Sequence, residues 1–96
     1  GEKEMIKISL REIRFIDSSK ENARLHLEDG RVLLVRQSIS ALEKLLLPHR
    51  FLRVHRSYIV PAERVESYKG NRIKIGEQIL PVGRLYKSQL EGLLKR

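Results

Sequence analysis

Apolar and polar residues alternate along most of this chain, which is the pattern of β-strands that are buried on one face. The alternation predicts strands at residues 5–10, 13–17, 24–28, 31–36, 51–60, 65–68, 72–75 and 78–82. Asp29 and Gly30 form the strongest short hairpin signal and predict a tight turn between the third and fourth strands. Because helices do not alternate regularly with these strands, the pattern favours a mainly β fold.

Two segments have helical spacing instead. Ile39, Leu42, Leu45 and Leu46 predict a helix over residues 38–47. Ser38 or Ser40 is the expected N-cap, Ser40 and Glu43 match a capping box, and Pro48 ends the helix. A second, shorter helix is predicted from residue 85 onward, weakened by Gly92, and one helical turn is predicted over residues 61–65.

The charge balance of the chain points to an anionic partner. The 96 residues suit one domain with one core. Twenty Lys and Arg against twelve Asp and Glu give a net charge of +8, and twelve of the twenty are Arg. This balance favours nucleic acid, an anionic membrane surface or an acidic protein. The planar Arg fork suits paired hydrogen bonds to phosphate or to a guanine edge.

The span of residues 44–62 contains no Asp or Glu. Its basic side chains are Lys44, His49, Arg50, Arg53, His55 and Arg56. Within the predicted strand 51–60, these groups alternate with apolar residues that can fill a β core. The span therefore indicates either the solvated face of a basic protein or a surface that binds a polyanion.

The chain has no Cys, so it can form neither a disulfide nor a Cys-ligated zinc site, and it fits a reducing compartment. No apolar run approaches the roughly 20 residues of a membrane helix, and no signal peptide is recognisable. We therefore expect a cytoplasmic location without membrane contact. Since the chain begins at Gly1 without an initiator Met, we expect a further domain or a membrane anchor upstream in a longer protein.

Catalytic chemistry has little support in the sequence. There is no Cys nucleophile and no close His pair, and His26, His49 and His55 are scattered over different predicted elements. The glycine-containing segments are typical of turns, because no helix follows them as in a phosphate-binding loop. We expect no enzyme activity, no metal site and no cofactor.

Duplex DNA fits the composition better than a single strand does. Only five residues are aromatic, and Phe15, Phe51 and Tyr58 lie in apolar alternations where core packing is expected. Few aromatic side chains then remain to stack on unpaired bases. A small basic β module that binds RNA or an acidic protein is the alternative.

Two motifs resemble those of a known family. Phe51-x-Arg53-Val54-His55-Arg56-Ser57-Tyr58-Ile59-Val60, and then Ile79-Leu80-Pro81-Val82-Gly83-Arg84-x-Tyr86-Lys87, are similar to the LytTR DNA-binding domain. The strand at 13–16, the turn at 29–30 and the helix at 38–47 follow the family's order, so the resemblance spans nearly the whole chain. Pro61 and Gly83 depart from it, because the family commonly has Asn and Ser there.

The resemblance implies an elongated sandwich of short, mostly antiparallel strands with one central helix and a short C-terminal helix. It also implies sequence-specific binding of double-stranded DNA by loops that reach base edges in successive major grooves. The positions that match base contacts are Asn22, Arg56 and Arg84. Each Arg can fork onto guanine O6 and N7, and the Asn can pair with adenine N6 and N7. The expected phosphate contacts are Lys20, His55, Ser57 and Lys87.

Domains of this family are usually the C-terminal output modules of bacterial LytR/AlgR-type response regulators in two-component systems. Residues 1–96 are then expected to be one such domain from the C-terminal part of a longer transcription regulator. An upstream receiver or sensor domain is the expected partner within that protein. The expected DNA target is a promoter with paired half-sites, bound by two copies of the domain.

Overall fold

The computed structural model describes residues 4–95 of the chain. Its strands are β1 (Ile13–Ser19), β2 (Asn22–Leu27), β3 (Val32–Val35), β4 (Phe51–His55), β5 (Tyr58–Pro61), β6 (Ser67–Lys69), β7 (Arg72–Ile75) and β8 (Gln78–Pro81). The α-helices are α1 (Ile39–Leu46) and α2 (Lys87–Leu94). Short 3-10 helices cover Leu10–Glu12, Leu47–His49, Ala62–Arg64 and Arg84–Tyr86.

A five-stranded sheet in the order β3-β2-β1-β5-β4 forms the centre of the molecule, and a three-stranded sheet has the order β6-β7-β8. Every strand pair is antiparallel. Asp29 and Gly30 connect β2 to β3 as predicted, and Gly30 has a φ of +91°, which residues with a side chain rarely adopt. The order of the strands brings β1 and β5, which are far apart in sequence, side by side.

Both faces of the five-stranded sheet are covered. On one face, buried side chains of the sheet pack against α1: Ile13, Ile16, Leu27 and Ile59 with Ile39 and Leu42. On the other face, they pack against the three-stranded sheet and α2: Phe15, Val54 and Val60 with Ile73, Leu80 and Leu90. Residues two apart in a regular strand share a face, but a register shift in β1 between Ile13 and Phe15 places these two side chains in different clusters.

The predicted fold class is confirmed. The two sheets form a mainly β structure with principal extents of 47 × 24 × 22 Å, which is elongated as expected. One helix lies between β3 and β4, and the other follows β8. Six of the predicted strands are present, and their ends differ from the predicted ones by no more than two residues. The helical turn predicted at 61–65 is the 3-10 helix Ala62–Arg64.

None of the helices within residues 4–95 is long and apolar enough to span a membrane.

The strand predicted at residues 5–10 is wrong. Residues 4–9 have no regular structure, and Leu10 begins a 3-10 helix. Ile8 packs against the cluster under α1, whereas Met5 and Ile6 are 95% and 53% exposed. Backbone groups of a strand need a neighbouring strand for their hydrogen bonds, and no strand of the described chain pairs with this segment. Alternation alone therefore did not produce a strand.

The single strand predicted at residues 51–60 is also wrong, because this segment is a hairpin. β4 and β5 pair antiparallel, and Arg56 and Ser57 form the turn between them. The sequence offers no Gly, Asn or Pro at this turn. The apolar alternation therefore runs through the turn without a visible break.

The predicted helix over 38–47 is α1, and Ser38 is its N-cap. The Ser38 hydroxyl accepts a hydrogen bond from the N–H of Ala41 at 3.1 Å. The capping box on Ser40 is wrong, because Ser40 lies inside the first turn and Glu43 pairs with Arg53. The 3-10 helix around Pro48 then ends this helical segment, as expected for a proline.

Replacing Ser38 tests this assignment. Ser38→Ala is expected to lower the free energy of unfolding by about 1 kcal/mol, because the Ala41 N–H loses its acceptor. Ser40→Ala is the matched control and should have a clearly smaller effect, since its hydroxyl lies 3.5 Å from Arg53 and caps no backbone group. Urea denaturation measures both. Equal losses in the two variants would contradict the assignment.

Candidate nucleic-acid interface

Three loops that carry the predicted site residues lie at one end of the five-stranded sheet. The β1–β2 turn carries Lys20 and leads into Asn22, the first residue of β2. The β4–β5 turn consists of Arg56 and Ser57. The third loop follows β8 and carries Arg84 at the start of a 3-10 helix. Lys20, Arg56 and Arg84 are exposed, and Asn22 and Ser57 are half-buried.

Backbone hydrogen bonds connect these loops. The N–H of Ser18, beside the first turn, donates to the carbonyl of Ser57 in the second at 3.0 Å. The N–H of Gly83 donates to the carbonyl of Val54 in β4 at 2.8 Å, so the third loop lies along the outer edge of that strand. The sheet and these bonds therefore fix the positions of the loops relative to one another.

The strand order gives the spacing of the loops. β2, β1, β5 and β4 are consecutive in the sheet. Neighbouring strands lie about 4.8 Å apart, so the three spacings from β2 to β4 amount to about 15 Å. Gly83, bonded to the outer edge of β4, adds about one more spacing, for about 19 Å in total. This row of loops is wider than the major groove of B-DNA, which is about 12 Å.

An ion-pair network lies on the sheet beside the β1–β2 turn. Arg24 donates hydrogen bonds to both carboxylate oxygens of Asp17, at 2.9 and 2.8 Å, and His26 Nε2 lies 3.0 Å from Asp17 Oδ1. Burial raises the pKa of Asp17, but the hydrogen bonds from Arg24 and His26 outweigh it and hold the pKa below its ordinary value. Arg24 is therefore occupied by a carboxylate, whereas Lys20 and Asn22 lie at the tip of the same hairpin.

The buried guanidinium of Arg53 stabilises the β4–β5 turn through hydrogen bonds. This side chain is only 7% exposed. Its Nε donates to the carbonyl of His55 at 2.8 Å, and one terminal nitrogen donates to the carbonyl of Arg56. One acceptor belongs to the turn itself and the other to the last residue of β4, directly before the turn. A turn without Gly, Asn or Pro is thus stabilised by hydrogen bonds from a buried side chain.

Arg53 also connects this turn to two other parts of the fold. Its other terminal nitrogen donates to Glu43 Oε1 in α1 at 2.7 Å. The guanidinium carbon lies 5.7 Å from the centre of the Tyr86 ring, two residues beyond Arg84. One buried cation therefore contacts the central helix, the second loop and the segment that follows the third.

His55 is a neutral donor in this arrangement. Its Nδ1 accepts a hydrogen bond from the N–H of Ser57 at 3.0 Å. Burial, followed by the charges of Arg56 and Arg53, lowers the pKa of His55 below its ordinary value. The imidazole is then uncharged near neutral pH with its proton on Nε2, since Nδ1 is an acceptor. The Nε2–H group can donate a hydrogen bond to a phosphate oxygen. Because the ring is neutral, it adds no positive charge at this point.

The third loop lines a small concavity together with His55 at the end of β4 and Asn71. His55, Asn71, Pro81, Val82, Gly83, Arg84 and Lys87 form its wall. Gly83 has a φ of −75°, so its backbone does not require glycine. A Cβ at this position would lie 3.1 Å from Tyr86 Cδ2, and the glycine therefore lets the Tyr86 ring close against the loop. Two of the predicted phosphate contacts, His55 and Lys87, thus flank Arg84.

Sequence reasoning does not single out Arg53 or Asn71 as parts of the site. The one sequence signal for Arg53 is a charge between Leu52 and Val54 in a strand whose neighbours are apolar. Asn71 belongs to the β6–β7 turn and reaches the concavity only because the three-stranded sheet packs there. Within residues 4–95, no group of three or more His, Cys, Asp or Glu is arranged to hold a metal ion.

The chain is similar to known DNA-binding domains. The profile of the LytTr DNA-binding domain family matches residues 3–95. A solved structure from Bacillus cereus, described as the LytTr DNA-binding domain of a methyl-accepting/DNA response regulator, has the same fold with a TM-score of 0.80. The two share 20% sequence identity, and the match covers 95% of this chain and 88% of that chain. No curated protein sequence matches this chain.

Replacing Arg53 tests its role as the support of the turn. Arg53→Lys is expected to lower the free energy of unfolding by about 1 to 3 kcal/mol, because an ammonium cannot bridge two carbonyls and Glu43 at once. Arg50→Lys, at an exposed position before β4, is the matched control and should change it by less than about 0.5 kcal/mol. Urea denaturation gives both values, and amide exchange at Ser57 reports on the turn. Equal stability of the two variants would contradict this role.

The lowered pKa of His55 predicts a pH dependence. A histidine with a lowered folded-state pKa stabilises the fold fully above its unfolded value of 6.5 and loses this contribution as the pH falls toward the folded value. The pH values 7.5 and 5.5 lie about one unit to each side of 6.5. Between them, the free energy of unfolding should decrease more in the parent than in His55→Gln. Urea midpoints at the two pH values measure this. Both proteins retain the other two histidines, so parallel decreases would refute it.

Proposed function

Because this chain belongs to the LytTR family of DNA-binding domains, a non-catalytic family, we propose that it binds specific sequences of double-stranded DNA as the output domain of a bacterial transcription regulator. The observation that carries this proposal is the meeting of three loops with Asn22, Arg56 and Arg84 at one end of the central sheet. A rigid β scaffold that presents separate polar side chains suits the reading of base edges.

In the proposed complex, Arg56 and Arg84 each donate two hydrogen bonds to a guanine, and Asn22 pairs with an adenine. Support comes from the exposure of the two Arg side chains and from the absence of an ion pair to either of them within residues 4–95. Arg24 and Arg53 are nearby, but carboxylates occupy them. These two are therefore left out of the proposed set of base contacts.

Lys20, His55, Ser57 and Lys87 are proposed to bind phosphates and to fix the register of the domain on the duplex. Each lies in or next to one of the three loops. His55 offers an Nε2–H donor, because Nδ1 is occupied by the N–H of Ser57. Every base pair has the same phosphates. Contacts from this set of side chains therefore carry no sequence information of their own.

The proposed arrangement distributes the loops over successive major grooves. The row of loops spans about 19 Å by strand spacing, whereas one major groove is about 12 Å wide. A row of this width laid across the duplex exceeds one groove, which supports contacts in more than one groove. The 47 Å length of the domain is also greater than one turn of DNA, which is about 34 to 36 Å.

The regulatory setting is part of the proposal. The solved relative from Bacillus cereus is described as a domain of a response regulator, which supports the same role for this chain. We therefore propose a single domain in the C-terminal part of a longer cytoplasmic regulator, with a receiver or sensor domain upstream and no membrane contact of its own. Two copies are proposed to bind paired promoter half-sites about one turn apart.

A selection from a random duplex pool, followed by affinity measurements across salt concentrations, tests the proposal. Arg56→Ala and Arg84→Ala are each expected to lose discrimination at one base-pair position, by about 1 to 3 kcal/mol. Lys20→Gln and Lys87→Gln should instead weaken binding to all sequences equally and reduce the salt slope by about 0.9 each.

The matched control is Arg11→Ala, an exposed Arg that precedes β1 at the opposite end of the sheet. It should leave both sequence preference and salt slope nearly unchanged. If Arg56→Ala and Arg84→Ala keep the full sequence preference, the assignment of base contacts is refuted. If the pool yields no preferred duplex and RNA or heparin competes as well as DNA does, the alternative of a basic module for RNA or an acidic protein replaces the proposal.

A further inference from the structure

The outer face of the three-stranded sheet carries a cluster of positive charge. Side chains alternate across β7, so Ile73 and Ile75 are buried while Arg72 and Lys74 are exposed on the other side. Lys69 of β6 is exposed on the same side, because it is the register partner of Arg72. We define the basic face as Lys69, Arg72 and Lys74.

The charges of the basic face repel one another. Lys69 and Arg72 are directly opposite on neighbouring strands, where like charges are destabilising. Lys74 lies two residues from Arg72, which is about 6.6 Å along the strand. Within residues 4–95, none of the three forms an ion pair with a carboxylate. An anion placed across this face would therefore relieve repulsion that the free protein cannot relieve itself.

Some basic side chains elsewhere in the molecule are paired, whereas others, such as Arg11, Lys44 and Arg50, are exposed without an ion pair in the described chain. Four Arg side chains have carboxylate partners at 2.6 to 2.8 Å: Arg24, Arg31, Arg53 and Arg64. Glu66, which precedes β6, makes no ion pair with the basic face, and its carboxylate accepts a hydrogen bond from the N–H of Gly76. The positive charge of the three-stranded sheet thus remains available to a partner.

The basic face is continuous with the loop that carries Arg84. Arg72 is the register partner of Pro81, three residues before Arg84. The N–H of Val82 donates to the carbonyl of Asn71 at 2.7 Å, and Asn71 lines the same concavity as Arg84. A duplex that occupies this loop therefore lies next to the basic face.

We infer that the basic face binds backbone phosphates of the same DNA duplex, just beyond the base pairs that the loops read, an inference that rests on the proposed function. Phosphates fit because the exposed side chains of this face are Ser67, Lys69, Arg72, Lys74, Ile79 and Pro81, without an amide to read adenine or an aromatic ring to stack on bases. Each DNA strand carries one charge per about 3.4 Å, so the separation of Arg72 and Lys74 corresponds to about two phosphates. The face extends the footprint and adds no sequence preference.

The test uses the full chain and the duplex selected from the random pool, with and without about 10 extra base pairs, one helical turn, on each side. The variant combines Lys69→Gln, Arg72→Gln and Lys74→Gln. On the extended duplex, its salt slope should fall by about 2 to 3 and its affinity at about 0.1 M salt should fall at least about tenfold. On the trimmed duplex, it should bind nearly as well as the parent. The ratio of affinities for matched and mismatched sequences should not change.

The matched control removes three exposed charges elsewhere, through Arg11→Gln, Lys44→Gln and Arg50→Gln. The change in salt slope of this control variant should be less than half of the change in the variant of the basic face. Urea denaturation verifies the fold of both variants, and the single variant Arg72→Gln, with an expected slope change of about 0.9, replaces the triple one if folding is impaired.

Equal slopes in the test and control variants would overturn the inference while leaving the proposed function intact. A lost sequence preference in the test variant would also overturn it, because the face would then read bases. If the test variant binds DNA like the parent but loses binding to polyglutamate, the partner of the face is an acidic protein and the inference is wrong. A parent chain without any sequence preference would instead refute the proposed function, and the inference with it.

Discussion

The buried guanidinium of Arg53 is the interaction on which the loop-bearing end of the five-stranded sheet depends. A cation removed from water is tolerated only when its donors find acceptors. Here the acceptors are the His55 and Arg56 carbonyls of a turn and the Glu43 carboxylate of the central helix. The turn and the helix must therefore adopt their positions together. The turn thereby gives Arg56 a fixed position, which suits the base contact proposed for it.

The distribution of charge follows the same logic. Carboxylates pair with several Arg side chains of the five-stranded sheet, as Asp17 does with Arg24 and Glu43 with Arg53. The exposed cations at the loop tips and on the outer face of the three-stranded sheet remain without such partners in the described chain. Part of the net charge of +8 therefore lies on exposed cations at the loop tips and on the three-stranded sheet, where an anionic duplex can reach it.

Loops, and not a helix, form the proposed reading surface because the helices are used for packing. The apolar side of α1 is buried against the five-stranded sheet, and Glu43 on its remaining surface is committed to Arg53. α2 contributes the fully buried Leu90 to the other cluster. The width of the sheet, set by strand spacing, then separates the outer two of the three loops by about 19 Å.

The sequence by itself determined which segments are amphipathic. It also contains the family motifs around Arg56 and Arg84 and the excess of basic residues. These properties are local, because strand alternation, helical spacing and the Asp29-Gly30 turn each depend on neighbouring residues. Only the tertiary structure decided that residues 4–9 lack a strand partner and that residues 51–60 fold back as a hairpin. Both outcomes depend on groups distant in sequence, such as the Ser18 N–H that meets the Ser57 carbonyl across adjacent strands. An alternating pattern records which side chains can be buried, whereas the partner of each backbone group is fixed only when the whole chain is packed.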